Sequence, residues 1–119
     1  MALVTPFDSR GSIDFAALAA IIDRVIAGGV DYLLALGTTS ETPTLTAAER
    51  VAVSRFIRER VAGRVALMVG IGGNCTADVV ATLKSWDFTG YDAVLSVNPY
   101  YNKPNQEGLY RHFKAISAA

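Results

Sequence analysis

Residues 31–50 read Asp-Tyr-Leu-Leu-Ala-Leu-Gly-Thr-Thr-Ser-Glu-Thr-Pro-Thr-Leu-Thr-Ala-Ala-Glu-Arg and contain a strand, a polar loop and the start of a helix. The strand is a short apolar run that ends at Gly37, as in strands buried on both faces of a parallel sheet. Thr46-Ala-Ala-Glu49 is a capping box, in which the threonine and the glutamate each satisfy an otherwise unpaired backbone N–H. A strand followed by a loop and a helix is one βα unit.

The same unit recurs along the rest of the chain. Short apolar runs bounded by Gly or Pro predict four strands, at Ala2–Phe7, Asp31–Gly37, Arg64–Ile71 and Tyr91–Asn98. Apolar residues at helical spacing predict four helices, with stripes of Phe15, Leu18, Ile22, Val25 and Ile26; of Val53, Phe56, Ile57 and Val61; of Val79 or Val80, Leu83 and Trp86; and of Leu109, Phe113 and Ile116.

Residues suited to helix ends flank these stripes. Asp14 or Ser12 is predicted to cap the first helix, and Gly28-Gly29 to end it. Gly63 and Gly90 fall where the second and third helices are expected to stop. The pattern predicts an α/β fold of four consecutive βα units. A doubly wound open sheet needs few strands, whereas a barrel needs eight strands and about 250 residues, so the length alone favours the open sheet.

The composition excludes several classes of protein. The 119 residues include 11 basic and 11 acidic side chains, so no positive surface for nucleic acid or for a membrane is expected. The single cysteine, Cys75, cannot form an internal disulfide, which fits a reducing cytoplasm. No apolar run reaches the roughly 18 residues that span a bilayer, and the N-terminus lacks the pattern of a signal peptide. We therefore expect a cytoplasmic protein.

Polar loops follow the predicted strands, at the sheet edge where ligands bind in parallel α/β folds. The loop Gly37-Thr-Thr-Ser-Glu-Thr-Pro43 offers backbone N–H groups and the hydroxyls of Thr38 and Thr39 to an anion such as a carboxylate. In the alternative interpretation, the loop is a tight turn whose hydroxyls form hydrogen bonds only with the next helix. Gly70-Ile-Gly-Gly-Asn74 begins like a dinucleotide-binding loop, but Cys75 replaces the third glycine. We interpret it as a compact loop that lets the backbone pass closely.

The loop Asn98-Pro-Tyr-Tyr-Asn-Lys-Pro104 holds two adjacent tyrosines between prolines. A phenol can shuttle a proton, but tyrosine is also common at protein contacts, and the sequence leaves both possibilities open. The chain has no G-x-S-x-G or H-E-x-x-H motif, and its one histidine and one cysteine do not form a metal-binding pattern. His112, beside Arg111, is predicted to be a surface residue, and Cys75 a small, partly buried thiol.

Together, the loops resemble those of the dihydrodipicolinate synthase/N-acetylneuraminate lyase family, and the resemblance covers essentially all 119 residues. Ala2-Leu-Val-Thr-Pro-Phe7 is similar to the family's first strand, Gly37-Thr-Thr-Ser-Glu41 to its substrate-carboxylate loop, and Asn98–Pro104 to its tyrosine loop. Gln106-Glu-Gly-Leu-Tyr-Arg-His-Phe113 is more typical of the synthases than of the neuraminate lyases. Ser40 departs from the usual glycine. The resemblance implies a (β/α)8 TIM barrel, of which residues 1–119 supply the first four βα units as the N-terminal half of the lyase domain.

The resemblance also implies a class I aldolase-type mechanism without a cofactor or metal ion. Pyruvate forms a Schiff base with a lysine, loses a proton to become an enamine and attacks aspartate semialdehyde, a step of lysine and diaminopimelate biosynthesis. Thr38 and Tyr101 match the family's proton relay, in which the tyrosine is lent across a dimer interface. Thr38 and Thr39 match the residues that hold the pyruvate carboxylate. The family's habit predicts a dimer or a dimer of dimers.

Some members of the family are inhibited by lysine bound at the dimer interface. Asn74, Asp78 and Tyr100 fall on positions similar to that site. Ala47 and Arg50, however, stand where lysine-sensitive members often carry histidines, and this difference argues against feedback inhibition.

The family's Schiff-base lysine lies at the end of the sixth strand, and none of the three lysines present (Lys84, Lys103 and Lys114) matches it. The chain alone is therefore expected to be inactive, and both of its ends are expected to be cut. Part of a complete enzyme is the favoured interpretation. A half-barrel completed by a second copy or a partner, and a non-catalytic module that binds a carboxylate, stay open. Cleavage of sialic acid or of a keto-deoxy sugar acid is an alternative reaction within the family.

Overall fold

The computed structural model describes all 119 residues, Met1–Ala119. In chain order the elements are α1 (Phe15–Ala27), β1 (Tyr32–Ala35), α2 (Ala47–Val61), β2 (Ala66–Gly70), α3 (Thr76–Ser85), β3 (Ala93–Leu95) and α4 (Gln106–Ser117). Two single-turn 3-10 helices, Thr38–Ser40 and Thr42–Thr44, lie between β1 and α2. None of the helices combines the length and the hydropathy needed to cross a bilayer. The chain divides into two compact units, the first containing Met1–Gly70 and Gly90–Val94, the second Ile71–Thr89 and Leu95–Ala119.

The order of the strands distinguishes a barrel from a doubly wound sheet. β1 pairs with β2 in parallel, with Leu33 opposite Leu67, and β3 follows on the other side of β2. The segment before α1 pairs with the free edge of β1, where Leu3 N–H donates to Leu34 O at 3.1 Å. Neighbours in the sheet are thus neighbours in the sequence, whereas a doubly wound sheet reverses its order at the first strand. Sequential order is the arrangement of a (β/α)8 barrel.

The predicted strands are longer than the observed ones. Ala2–Phe7 was expected to be a regular strand but forms two isolated bridges, a parallel one from Ala2 to Leu34 and an antiparallel one from Phe7 to Ile13. The segment cannot continue as a regular strand through Pro6, which has no N–H to donate. The side-chain hydroxyl of Thr5 donates to Ser40 O in the loop after β1. The other three predicted runs contain β1, β2 and β3, and each extends beyond its strand at both ends.

The starts of α1 and α2 confirm the predicted caps. Asp14 accepts a hydrogen bond from Ala17 N–H at 2.8 Å, which satisfies one of the unpaired donors at the start of α1. Thr46 and Glu49 form the complete capping box of α2, with Thr46 N–H donating to Glu49 Oε2 at 2.8 Å. Gly29, with a φ of 80°, follows α1 in the left-handed conformation expected after a helix.

The third predicted helix end is wrong. α3 ends at Ser85, well before Gly90, because Trp86 already has an extended backbone with a φ of −80° and a ψ of 137°. Gly90 lies in the first unit, where its φ is 77° and a Cβ would stand 3.2 Å from the side chain of Arg58.

The core of the first unit is drawn from both helices, the sheet and the loop after β1. Its buried apolar residues are Leu3, Leu18, Ile22, Leu33, Ala35, Leu36, Leu45, Val53, Ile57, Val61, Leu67 and Val69. The rings of Phe15 and Phe56 connect α1 to α2, with their centroids 4.9 Å apart. Full burial of one Leu, Ile or Val side chain is worth about 1.5–3 kcal/mol, so this core is the main source of stability for the unit.

A carboxylate also joins α1 to the end of α2. Asp23 Oδ1 accepts from Arg60 Nε at 3.2 Å and from Arg64 Nη2 at 2.8 Å, while Arg60 Nη2 donates to Asp23 Oδ2. The hydrogen bond from Arg60, and after it the bond from Arg64, lowers the pKa of Asp23, because both favour the charged carboxylate.

The stabilising effect of this ion pair is expected to disappear in acid. Since the pKa of Asp23 in the folded state lies below the unfolded value of about 4, the carboxylate stabilises the fold above that pH, and this contribution is lost as the pH falls through the folded-state pKa. Asp23→Asn, which keeps the shape without the charge, should unfold at a lower urea concentration than the wild type at about pH 7, and this difference should shrink as the pH falls through the folded-state pKa of Asp23. A difference that stays constant as the pH is lowered would contradict this role.

The second unit has a smaller core, made by Ile71, Val79 and Leu83. The prediction that His112 is a surface residue is wrong: it is 2% exposed, because it lies on the side of α4 that packs against α3. Its Nδ1 lies 2.8 Å from Thr76 Oγ1. The prediction for Cys75 is wrong in the opposite sense, since this residue lies at the N-cap position of α3, makes no capping hydrogen bond with its side chain, and is exposed.

Candidate functional site

In the loop after β1, residues with a strained backbone lie on both sides of the first 3-10 turn. Leu36 and Glu41 both have a φ of 55°, in the left-handed region, where a residue other than glycine costs about 1–2 kcal/mol. The carbonyl of Leu36 lies so close to Gly70 that a Cβ on Gly70 would stand 2.2 Å from the oxygen. The glycine at the end of β2 therefore lets the two backbones pass, which confirms the predicted close approach in this part of the chain.

Thr38 and Thr39 lie on the first 3-10 turn of this loop, and both are exposed. Neither hydroxyl has a hydrogen-bond partner within the chain, so both are free to donate to a ligand. Thr42 differs, because its Oγ1 donates to Gly37 O at 3.0 Å and is used within the loop. The helix that follows is capped by Thr46, not by either of the two exposed threonines. The alternative in which Thr38 and Thr39 serve the next helix is therefore not what the structure contains.

Two buried polar side chains fix the same loop, and neither role was predicted from the sequence. Ser40 is 1% exposed, and its Oγ donates to Leu3 O at 2.7 Å. Thr5 is 3% exposed, and its Oγ1 donates to Ser40 O at 2.8 Å. Thr5 lies within an apolar run, where its hydroxyl gives no separate signal. Ser40 is visible in the sequence only as a departure from glycine.

The tyrosine loop belongs to the second unit, and it holds Tyr101 outward. Tyr101 is 92% exposed and has a φ of 69°, and Asn102 N–H donates across it to Tyr100 O at 2.8 Å. This is the hydrogen bond of a γ-turn, which is strained when its central φ is positive. Asn102 Nδ2 also donates to Asn74 O at 2.7 Å, and Asn105 caps α4. Strain of this kind persists only where surrounding contacts impose it, and it occurs preferentially at functional sites.

The three residues predicted for a regulatory site all lie in the second unit. Asn74 is half-buried and is joined to the tyrosine loop through Asn102, while Asp78 is exposed on the first turn of α3. Tyr100 is 52% exposed. No hydrogen bond or ion pair links the side chains of Asn74, Asp78 and Tyr100 to one another. The structure thus brings Asn74 to the loop that carries Tyr100, and leaves Asp78 on the adjacent helix.

Neither the lysines nor the side chains that could ligate a metal form a further candidate site. Lys84, Lys103 and Lys114 are all exposed, and Lys114 Nζ lies 5.6 Å from the centre of the Tyr110 ring. No three side chains of the types His, Cys, Asp and Glu come together in a way that could hold a metal ion.

Comparisons with known proteins agree with this geometry. A profile of the Dihydrodipicolinate synthetase family matches residues 1–119. The 4-hydroxy-tetrahydrodipicolinate synthase of Parabacteroides distasonis is 51% identical over 119 residues, which are all of this chain and 40% of that protein. The chain thus spans about 40% of the length of the curated relatives that it matches.

Solved structures of the same kind match almost the whole chain. A chloride-inhibited dihydrodipicolinate synthase from Acinetobacter baumannii, complexed with pyruvate, matches with a TM-score of 0.93 and 39% identity, over 99% of this chain and 40% of that one. The enzyme from Cyanidioschyzon merolae, with lysine bound, matches with a TM-score of 0.89 and 36% identity, over 98% of this chain and 40% of that one.

Proposed function

This chain belongs to the dihydrodipicolinate synthetase family and has the fold of the first four βα units of a (β/α)8 barrel, and from that premise we propose that it forms the N-terminal half of a lyase that condenses pyruvate with aspartate semialdehyde. The observation that carries the proposal is the pair of exposed, unpartnered hydroxyls of Thr38 and Thr39 on a rigidly held loop at the end of β1. Enzymes with a (β/α)8 barrel bind their substrates at the carboxyl ends of the strands, and this loop follows the carboxyl end of β1.

In the proposed reaction, Thr38 and Thr39 donate hydrogen bonds to the carboxylate of pyruvate. Hydrogen bonds to an ionised acceptor are about twice as strong as neutral ones, so two such donors orient the 2-oxo acid for Schiff-base formation. Thr38 also passes a proton to and from the reacting carbon and nitrogen together with the phenol of Tyr101. A relay of hydroxyls moves the proton without placing a full charge in a dry pocket.

The lysine that forms the Schiff base is proposed to lie outside these 119 residues. Lys84, Lys103 and Lys114 are exposed, whereas a nucleophilic lysine is usually activated by desolvation or by a nearby cation. The exposed apolar side chains of β3, Val94 and Leu95, support a barrel that continues beyond this strand. The chain alone is accordingly proposed to be inactive.

The proposed enzyme is a cytoplasmic homo-oligomer, a dimer or a dimer of dimers, in which Tyr101 reaches the site of the neighbouring subunit. The 92% exposure of Tyr101 supports this assignment, since its phenol is held away from its own unit by a strained turn. The second unit has a small core, and Tyr100, Tyr110 and Phe113 leave apolar surface exposed there. Exposed apolar surface of this kind supports a contact with another subunit.

Asn74, Asp78 and Tyr100 are proposed to occupy the positions of a regulatory lysine site that has lost its response. Ala47 and Arg50 replace the histidines of lysine-sensitive members, and both are exposed on the first turn of α2. We therefore expect free lysine, titrated into the millimolar range, to leave the initial rate of condensation unchanged. A rate that falls with increasing lysine would contradict this part of the proposal.

The substrate is tested by a panel of reactions with the enzyme that contains this chain. We expect turnover of pyruvate with aspartate semialdehyde, and no cleavage of N-acetylneuraminate or of a keto-deoxy sugar acid. The continuation Gln106–Phe113, which is typical of the synthases, favours this outcome. If cleavage of a sugar acid is the faster reaction, the proposed substrate is wrong and the sugar acid takes its place. Binding of pyruvate without any turnover would instead identify a non-catalytic module.

A further inference from the structure

The loop that carries Thr38 and Thr39 is tied to the N-terminal segment by two buried hydrogen bonds that run in opposite directions. Ser40 Oγ donates to Leu3 O at 2.7 Å, and Thr5 Oγ1 donates to Ser40 O at 2.8 Å. Each bond joins a side chain of one segment to the backbone of the other, so Ser40 is held through both its side chain and its carbonyl. Both side chains are at least 97% buried, and removal of one partner would leave the other polar group unpaired and out of reach of water.

Because of the position of Ser40 in the loop, these bonds also restrict the turn that carries the two threonines. Ser40 directly follows the two exposed threonines, and the left-handed residues Leu36 and Glu41 lie on either side of the turn that carries them. A loop with two such residues stores strain that it can release by changing its backbone angles, unless contacts prevent it. Ser40 N–H donates to Gly37 O at 3.0 Å, so an anchor at Ser40 also fixes the turn that carries the threonines.

We propose that Ser40 and Thr5 are positioning residues, which hold the hydroxyls of Thr38 and Thr39 at the spacing that binds the carboxylate of the 2-oxo acid. This inference rests on the proposed function, because it assumes that the two threonines bind pyruvate. Neither Ser40 nor Thr5 contacts the substrate in this arrangement, since both are buried on the side of the loop that faces the N-terminal segment.

The experiment compares KM for pyruvate among variants of the enzyme that contains this chain. Thr5→Val keeps the shape but loses the hydroxyl, and it is expected to raise KM for pyruvate about tenfold, since displacement of a binding group by a fraction of an ångström has effects of this size. Ser40→Ala should act in the same direction. Thr5→Ser, which retains a hydroxyl, should restore KM to within about twofold of the wild type, and KM for the aldehyde should change little in all variants.

The same measurements separate positioning from simple loss of stability. A variant that is only less stable has fewer active molecules, which lowers the apparent kcat but leaves KM unchanged, because KM does not depend on the active fraction. Unchanged KM for pyruvate in Thr5→Val and Ser40→Ala would overturn the inference while leaving the proposed function intact. If Ser40→Ala does not fold, Thr5→Val carries the test alone, because its lost bond is to the backbone carbonyl of Ser40, which any residue at position 40 supplies. A wild-type enzyme that does not use pyruvate would instead overturn the proposed function itself, and the inference with it.

Discussion

Gly70→Ala is expected to lower the free energy of unfolding by at least about 3 kcal/mol, or to prevent folding altogether. A Cβ at this position would stand 2.2 Å from Leu36 O, 2.8 Å from Leu36 C and 3.1 Å from Gly37 N. All three atoms belong to the backbone, so no change of rotamer can relieve the overlap. The backbone would have to move just before Thr38, and the measurement is urea-induced unfolding followed by circular dichroism.

Gly73→Ala is the matched control for this change. The nearest atom to its added methyl group would be Val79 Cγ2 at 3.3 Å, the end of a side chain that can shift by a few tenths of an ångström. We expect this variant to lie within about 1 kcal/mol of the wild type. Equal destabilisation by the two alanines would show that the close approach of Gly70 to Leu36 is not what makes glycine necessary there.

Loss of a relay hydroxyl is the second large effect that we expect. Thr38→Val and Tyr101→Phe each remove one hydroxyl and keep the size of the side chain, and each should lower kcat about 10²-fold or more, which is the contribution of a positioned proton-transfer group. Because the two hydroxyls act on the same proton, the double variant should be scarcely slower than the slower single variant. Initial rates of condensation at saturating substrates measure all three effects.

Tyr110→Phe is the control for the tyrosine substitution. Tyr110 is also an exposed tyrosine of the second unit, at 59% exposure, but it lies on α4, where its ring is next to Lys114. Its kcat should stay within about twofold of the wild type. A Tyr101→Phe variant that turns over as fast as Tyr110→Phe would assign Tyr101 to packing between subunits, the alternative that the sequence leaves open.

Helix starts were predictable because the residues that make them are local. Asp14 bonds to Ala17, and Thr46 bonds to Glu49, so each cap lies within four residues of sequence and can be recognised without the fold. The apolar stripes were predictable for the same reason, since their period of 3.6 residues places Leu18 and Ile22 on one buried face.

Residues whose role depends on distant partners were not predictable from the sequence alone. His112 is buried because α4 packs against α3, and its partner Thr76 is 36 residues away. The bond between Thr5 and Ser40 spans 35 residues. Neither pairing has a local signal.

The site was predictable at the level of residue types but not of conformation. Gly37-Thr38-Thr39 and Tyr101 stand out because polar residues follow apolar runs, and the resemblance to a family adds a role for each. The left-handed backbone of Leu36 and Tyr101 has no such signal, because neither residue favours a positive φ. Only the surrounding contacts impose these angles.

The most direct test is the intact mass of the protein after incubation with pyruvate and borohydride, followed by peptide mapping of any adduct. Borohydride reduces a Schiff base to a stable secondary amine, so the reacting lysine keeps the added mass. We expect a molecule larger than the 12.7 kDa of these 119 residues, with one adduct on a lysine that lies outside them. A molecule of 12.7 kDa without an adduct, or an adduct on Lys84, Lys103 or Lys114, would contradict the assignment of this chain as the half of a Schiff-base lyase that binds the substrate carboxylate.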